Sequence, residues 1–352
     1  MPKETMTPRE RWQAVLDRRR PDRVPTDYWG TAETTTRLRE HLGRPDWPAV
    51  LERLHIDQPL TVGGRYVGPK PADGFDYWGV GYRTVDYGAG LYSEIVSHPL
   101  ARFETVEEIE KEYRWPSADW WDYSHLPGAV AGQEKRPIRG GGSEPFLRYA
   151  ALRGQEQAYM DLVLNPPMVH YCLDRLFDLA YQDTLRIFET IPHKVMITYV
   201  AEDLGSQEGL LFSIAHIREF LFPRMKRMMD LARQHGSHVF THSDGAVRPV
   251  IADLIALGVE VLNPIQWRCK GMEREGLKRD FGGRLIFHGG VDNQHTLPFG
   301  SAGDVRREVR DNLRILGAGG GYILAPCHNI QSITPMANVV AMYETAYEDG
   351  WT

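Results

Sequence analysis

The sequence predicts an α/β fold: a (β/α)8 barrel with an elaborated, loop-rich N-terminal portion. Three observations predict it. From about residue 168 onward, short apolar runs alternate with helical patterns, the signature of parallel βα units. Five such units fill the C-terminal half and further strands precede them, which suits a barrel. No Gly-x-Gly-x-x-Gly turn follows a first strand, so the rival doubly wound sheet lacks its usual mark.

The elements follow in order. Thr7 is a candidate N-cap, Pro8 suits a first helical position and Glu10 completes a capping box. That helix ends near Pro21, and residues 24–29 read as a short strand. Residues 30–150 are irregular and rich in Gly, Pro and aromatics. They hold one clear helix over 105–113 and an Arg139-Gly-Gly-Gly142 run, so long loops and a small excursion are expected there. Then come a helix (168–191), a strand (194–200), a helix (215–235), a strand (237–241), a helix (247–257) and a strand (259–263). A short helix (273–281), a strand (284–289), a helix (302–316), a strand (321–325) and a last helix (334–347) complete the chain. A single domain over 1–352 is expected, irregular to residue 150 and regular from 151.

Bulk properties narrow the function. A chain of 352 residues can bury a sizeable core, and 42% hydrophobic with 25% charged residues is ordinary for a globular protein. The net charge of −6 argues against a nucleic-acid partner. No apolar run approaches membrane-spanning length, and the charged N-terminus from Met1 to Pro8 lacks a signal-peptide core. A cytoplasmic protein is expected. Three cysteines make no disulfide framework. Cys172 lies in an apolar helical pattern, and Cys269 sits in a polar segment. Cys327 lies between a Pro and a His after a strand, the one context that suggests chemistry. Several tryptophans cluster before residue 125; most suit packing, and a few could line a pocket for a flat or apolar ligand.

In a (β/α)8 barrel, catalytic groups gather at the strand C-termini. Five predicted strands end, in turn, on Glu202, Asp203 and Gln207; on His242 and Asp244; on Asn263 and Gln266; on His288, Asp292 and Asn293; and on Cys327, His328, Asn329 and Gln331. Loops are polar anyway, but five such ends in succession exceed what solvent exposure explains. If the ends meet, His242, Asp244 and Cys327 could hold one metal ion and leave a fourth position open, as catalytic zinc sites do. A thiolate, imidazole and carboxylate suit zinc better than magnesium. Asp203 is expected to face inward as a proton-handling group, with Glu202 facing solvent. His242 and His288 are the other catalytic candidates. Gln207, Asn263, Gln266, Asp292 and His328 are candidate substrate-binding groups. For Asp292 the alternative is a helix cap, and for His288 a buried, hydrogen-bonded ring.

At these residues the chain resembles the uroporphyrinogen decarboxylase superfamily, and within it the cobamide-dependent methyltransferases. The resemblance rests on Thr7-Pro-Arg-Glu-Arg, Pro21-Asp-Arg-Val-Pro, Glu202-Asp-Leu-Gly-Ser-Gln and His242-Ser-Asp-Gly. It continues through Gly258-Val-Glu-Val-Leu-Asn-Pro-Ile-Gln, Phe287-His-Gly-Gly-Val-Asp and the run from Gly320 to Gln331. It implies a barrel with its pocket at the strand C-termini. In the methyltransferase branch it implies zinc on a His-x-Cys pair and a later Cys. This chain matches at His242 and Cys327 and departs at Asp244, which stands where that pattern has Cys. No Arg-Gln-Ala-Gly-Arg-like segment follows Val24, so the polycarboxylate grip of the decarboxylases is missing.

The expected function is therefore a metal-assisted methyltransferase. It would move a methyl group between a small O-, N- or S-methyl substrate and a corrinoid (cobamide, cobalamin) carried by a partner protein. The alternative is a metal-independent lyase or decarboxylase on a carboxylated substrate, with Arg83 or Arg139 binding the carboxylate. The resemblance is also compatible with a homodimer.

Overall fold

The computed structural model describes residues 3–86, 88 and 91–352; Met1 and Pro2 of the charged N-terminus lie outside them. At the centre is a curled parallel sheet of seven strands in chain order: β1 Leu60–Val62, β2 Ile138–Ser143, β3 Ile197–Val200, β4 His238–His242, β5 Val261–Ile265, β6 Ile286–Val291 and β7 Tyr322–Pro326. Every neighbouring pair is parallel. Helical connections return the chain to the same end of the sheet each time.

Between the two edges lies the segment expected as a first strand. Leu324 N donates to Pro25 O, and Asp27 N donates to Leu324 O, both at 2.9 Å. On the other side Asp57 N donates to Thr26 O at 2.9 Å, just before β1. Residues 24–27 thus touch both edges, but through one bridge to β7 rather than a ladder. Pro25 has no N–H to extend one.

The helices largely match expectation. Pro8–Leu16 carries the predicted capping box, with Thr7 Oγ1 accepting from Glu10 N at 3.3 Å and the Glu10 carboxylate accepting from Thr7 N at 2.8 Å. Val106–Glu112 is capped by Thr105. The helix expected over 215–235 is interrupted: Ile214–His216 passes through a π-helical turn before Phe222–Gln234 begins.

The large departure is in residues 30–150. This stretch supplies two strands of the central sheet, β1 and β2, the helices Ala32–His41 and Trp47–Arg53, and a hairpin of Gly81–Asp86 with Leu91–Ser97. β2 was read as loop because three of its residues are glycine. A Cβ on Gly142 would lie 2.0 Å from the Tyr199 carbonyl oxygen, and one on Gly141 2.4 Å from Thr184 Cγ2. β3 and the long helix Pro166–Thr190 press so close that side chains are excluded, and with them the alternation that marks a strand.

Among the described residues, three hydrophobic clusters pack on the sheet. Trp12, Ile197, Phe240, Val261, Ile286 and Ile323 form one cluster from five successive strands and the first helix. Trp29 and Tyr199 pack on it. The largest cluster lies among the helices.

His238 and Glu260 make the sheet sensitive to pH. His238 Nδ1 lies 2.7 Å from Glu260 Oε2, and Glu260 Oε1 accepts from Val239 N at 3.0 Å. Burial opposes a charged imidazole, but the hydrogen bond and charge of Glu260 outweigh it, and the His238 pKa is raised above 6.5. His238 then contributes stability that is complete below about pH 6.5 and lost as pH rises through its folded value. The urea midpoint is expected to fall between about pH 6 and pH 8, and to fall less in Glu260→Gln. Equal falls in the two proteins would remove this pair as the cause.

Candidate active site

His242 ends β4 and is 6% exposed. Its ring stacks on Trp29, with centroids 5.8 Å apart and planes 15° from parallel. Asn263 is its register partner on β5, and His242 Nδ1 lies 2.6 Å from Asn263 Oδ1. The Asn263 amide nitrogen is 2.7 Å from Nδ1 of His288 on β6. His288 Nε2 is 3.0 Å from Asp27 Oδ2. The Asp27 carboxylate also accepts from Tyr28 N and Trp29 Nε1, both at 2.8 Å.

The partners assign the protons along this chain. The Asp27 carboxylate only accepts, so His288 donates from Nε2. Burial pushes the His288 pKa down, so the ring is neutral and accepts at Nδ1. Asn263 therefore donates its NH2 to His288 and turns its oxygen to His242, whose Nδ1 donates. His242 Nε2 is left without a hydrogen-bond partner among the described residues.

That nitrogen faces acid. Nε2 lies 3.7 Å from Asp203 Oδ1 and 3.9 Å from Asp244 Oδ1. One ligand atom each from Asp203, His242 and Asp244 come together within 4.8 Å of one another. Asp203, past the end of β3, is tied to Asp244 by the Asp244 N–H at 3.1 Å. Gln266 orients Asp244: its Nε2 donates to Asp244 Oδ1 at 3.0 Å, while its Oε1 accepts from Gly245 N at 2.6 Å. His328, partly exposed, has Nε2 3.8 Å from Asp244 Oδ2.

Glu144, immediately after β2, joins the same field. Burial raises its pKa; His242 opposes that rise, and Asp203 and Asp244 add to it. Burial likewise raises the Asp244 pKa, against His242 and His328 and with Asp203. Three carboxylates around one imidazole are more negative charge than a half-buried place holds comfortably, and a cation would relieve it.

The other expected residues fall as follows. Glu202, expected to face solvent, is instead buried. It is 1% exposed and accepts the Phe146 N–H at 2.9 and 3.2 Å, and burial holds its pKa well above the usual range. Cys327 requires a correction. It is buried, its Sγ donates to the Ile265 carbonyl at 3.1 Å, and burial pushes the thiol well above its ordinary pKa. The group whose ligand atoms converge contains Asp203 in place of Cys327. Asn263 and His288 are buried with their polar side-chain atoms engaged, so they act on the site through His242 and do not face a ligand. Asp292 takes its alternative role: it accepts from the backbone N–H groups of Gln294, His295 and Thr296 at the start of helix Thr296–Phe299, and from Arg268 Nε. Gln207 is exposed and donates to Gln294 Oε1 at 3.3 Å.

Sequence reasoning missed Asp27, Trp29 and Glu144. Asp27 and Trp29 lie within the segment 24–29 that reads as a strand, and Glu144 follows the glycine-rich β2. The available signal was Asp27-Tyr-Trp29 after an apolar run, and Glu144-Pro145 at a helix start.

A cavity of about 830 Å³ opens beside the cluster, with Glu144, Glu202 and Asp203 on one side and Trp78, Tyr82 and Phe146 among its walls. No helix among the described residues is long and apolar enough to cross a membrane.

The sequence model described as uroporphyrinogen decarboxylase (URO-D) matches residues 131–348. No curated protein matches the chain in sequence. A methyltransferase from Methanosarcina mazei is similar in structure, with a TM-score of 0.69 at 18% identity over 97% of this chain and 99% of that one. A protein described as a vitamin-B12 independent methionine synthase, from Listeria monocytogenes, is similar with a TM-score of 0.41 at 12% identity, over 94% and 97% of the two chains. At such identities the first likeness speaks for a shared fold, and the second carries no argument.

Proposed function

The chain belongs to the uroporphyrinogen decarboxylase family, and from that premise we propose a metal-assisted methyltransferase. It moves a methyl group between a small O-, N- or S-methyl substrate and a corrinoid delivered by a partner protein. The observation that carries the reading is the convergence of His242 Nε2 with the carboxylates of Asp203 and Asp244 at the strand C-termini. Counting residues 24–27 as the eighth position, we read the sheet as a (β/α)8 barrel, whose C-terminal face is the usual place for catalysis.

The donor set fits a divalent cation. One imidazole nitrogen and two carboxylates come from the ends of β3 and β4, with Asn263 behind the ring as an outer support. Asp203, His242 and Asp244 would hold the ion, and three protein ligands leave an open position, as in catalytic zinc sites. Without a thiolate the set is harder than the one first expected. When bound, the ion supplies Lewis acidity that stabilises the anionic form of the substrate heteroatom.

The protein's own groups do the rest. The Asp27–His288–Asn263 chain orients the His242 ring so that Nε2 faces the site. Gln266 holds Asp244, and His328 stands beside it to hydrogen-bond the substrate. Trp78, Tyr82 and Phe146 pack its apolar part and exclude water. A second reading, metal-free decarboxylation of a small carboxylated substrate, is favoured by one observation, the unpaired Arg139 described below.

Elemental analysis tests the metal. We expect about one zinc per chain, lost in Asp203→Asn and kept in Cys327→Ser. Loss in Cys327→Ser with retention in Asp203→Asn would restore the His242, Asp244 and Cys327 set. No metal in any of the three proteins would favour the lyase.

A further inference from the structure

Arg139 sits on β2 between Thr61 of β1 and Ile197 of β3. Its Nε donates to Thr61 Oγ1 at 3.2 Å. The guanidinium carbon lies 5.6 Å from the ring centroids of both Trp29 and Tyr199. Those two rings are also the neighbours of His242, each with its centroid 5.8 Å from the imidazole. Arg139 and the acidic cluster therefore flank the same pair of aromatic rings.

Among the described residues, Arg139 has no carboxylate within ion-pair distance, and its terminal nitrogens make no hydrogen bond. Arg139 is half-buried, and the fully buried arginines are all matched: Arg11 and Arg23 by Asp57, and Arg153 by Asp161. Asp27 lies nearby, but its oxygens are taken by Tyr28 N, Trp29 Nε1 and His288 Nε2. Arg139 instead lines a cavity of about 490 Å³ with Thr61, Gln58, Trp47 and Asn329. A guanidinium never loses its charge at working pH, and its fork matches the geometry of a carboxylate. Two aromatic faces hold the cation in place without neutralising it. What is missing is an anion.

We infer that Arg139 anchors a single oxyanion group of the substrate, a carboxylate or a sulfonate, in this cavity. This rests on the proposed function for the other end of the molecule, whose reacting atom lies at Asp203, His242 and Asp244. Asp27 shares the smaller cavity, but its oxygens are engaged, so the guanidinium is the charge left to pair there. The larger one carries Glu144, Glu202 and Asp203, and its arginine, Arg148, is paired with Asp76. An anionic tail finds an unpaired guanidinium at Arg139 and a paired one there. With one free guanidinium the site takes one oxyanion, and a ligand with many carboxylates, such as a porphyrinogen, would leave most of them unmatched.

The test is an NMR titration of the full chain with sodium acetate, and separately with sodium methanesulfonate, at constant ionic strength. It follows the backbone amides of Thr61 and Gly140. At least one anion is expected to give saturable shifts, and Arg139→Gln to weaken it at least tenfold. Arg139→Lys, which keeps the charge and loses the fork, is expected to weaken acetate less. Thr61→Val, which frees Nε without altering charge, is expected to cost a few-fold and serves if Arg139→Gln does not fold. Acetate alone identifies a carboxylate site, methanesulfonate alone a sulfonate site, and both a general oxyanion site. The inference is overturned if neither anion saturates, or if Arg139→Gln binds as tightly as the wild type. Methyl transfer without anion binding would overturn this inference alone, and anion binding without methyl transfer would overturn the proposed function alone.

Discussion

Replacing His242 by alanine is expected to remove bound zinc and to lower methyl transfer by about a thousandfold or more, while the protein stays folded. The size follows from the role. A Lewis acid contributes several kcal/mol of charge stabilisation, and each 1.36 kcal/mol is about a factor of ten in rate. The structural cost is smaller. His242 makes one hydrogen bond, to Asn263 Oδ1, and its loss leaves that buried oxygen without a partner, a cost of about 1–3 kcal/mol. Zinc content, methyl transfer and a urea melt measured on the same preparation separate the effects. Retained zinc and retained activity would sink the ligand assignment. Lost activity with zinc retained would leave His242 as a substrate group and move the metal elsewhere.

Asn263→Leu is expected to have the next largest effect, at a residue that touches neither metal nor substrate. The side chain is nearly isosteric but can neither donate nor accept. Asn263 is 1% exposed and joins two histidine rings, so the change strands His242 Nδ1 and His288 Nδ1 together. A destabilisation of about 3 kcal/mol is expected from the two buried unpaired nitrogens. Zinc affinity is expected to fall about 10- to 100-fold, the usual consequence of removing the partner behind a ligating histidine. The decisive readout is the ¹⁵N spectrum of the His242 ring in the metal-free protein. Wild type should carry its proton on Nδ1, and the variant a mixture of tautomers. An unchanged tautomer with unchanged affinity would show that the Asp27–His288–Asn263 chain is packing alone.

Much of this site was legible before any coordinates. His242 and Asp244 were found because they follow an apolar run with strand character, and strand C-termini in a parallel βα array face one side. Adjacent residues diverge, but Glu202, expected in solvent, is the one buried against Phe146 N. Cys327 shows where such reasoning stops. It too stands just past a strand, but its Sγ turns to the Ile265 carbonyl of β5 instead of joining the acids. A residue beyond the last ladder position is free of the strand's alternation, so spacing does not say which way it points.

Alternation of apolar runs and helical patterns determined the α/β class, the order of the C-terminal units and the polarity of their strand ends. These are local properties, written in side-chain periodicity and caps such as Thr7 with Glu10. Tertiary structure alone decided the rest. It showed that a glycine-rich stretch, emptied of side chains by the approach of β3 and the helix Pro166–Thr190, is a central strand. It placed Glu144 and Arg139 at the site through that strand, and it selected Asp203 over Cys327. It also assembled the hydrogen-bond chain from Asp27 to His242, whose ends are 215 residues apart in sequence. Hydrogen bonds across a curled sheet depend on which strands become neighbours, and that follows from packing the whole chain rather than from any window of it.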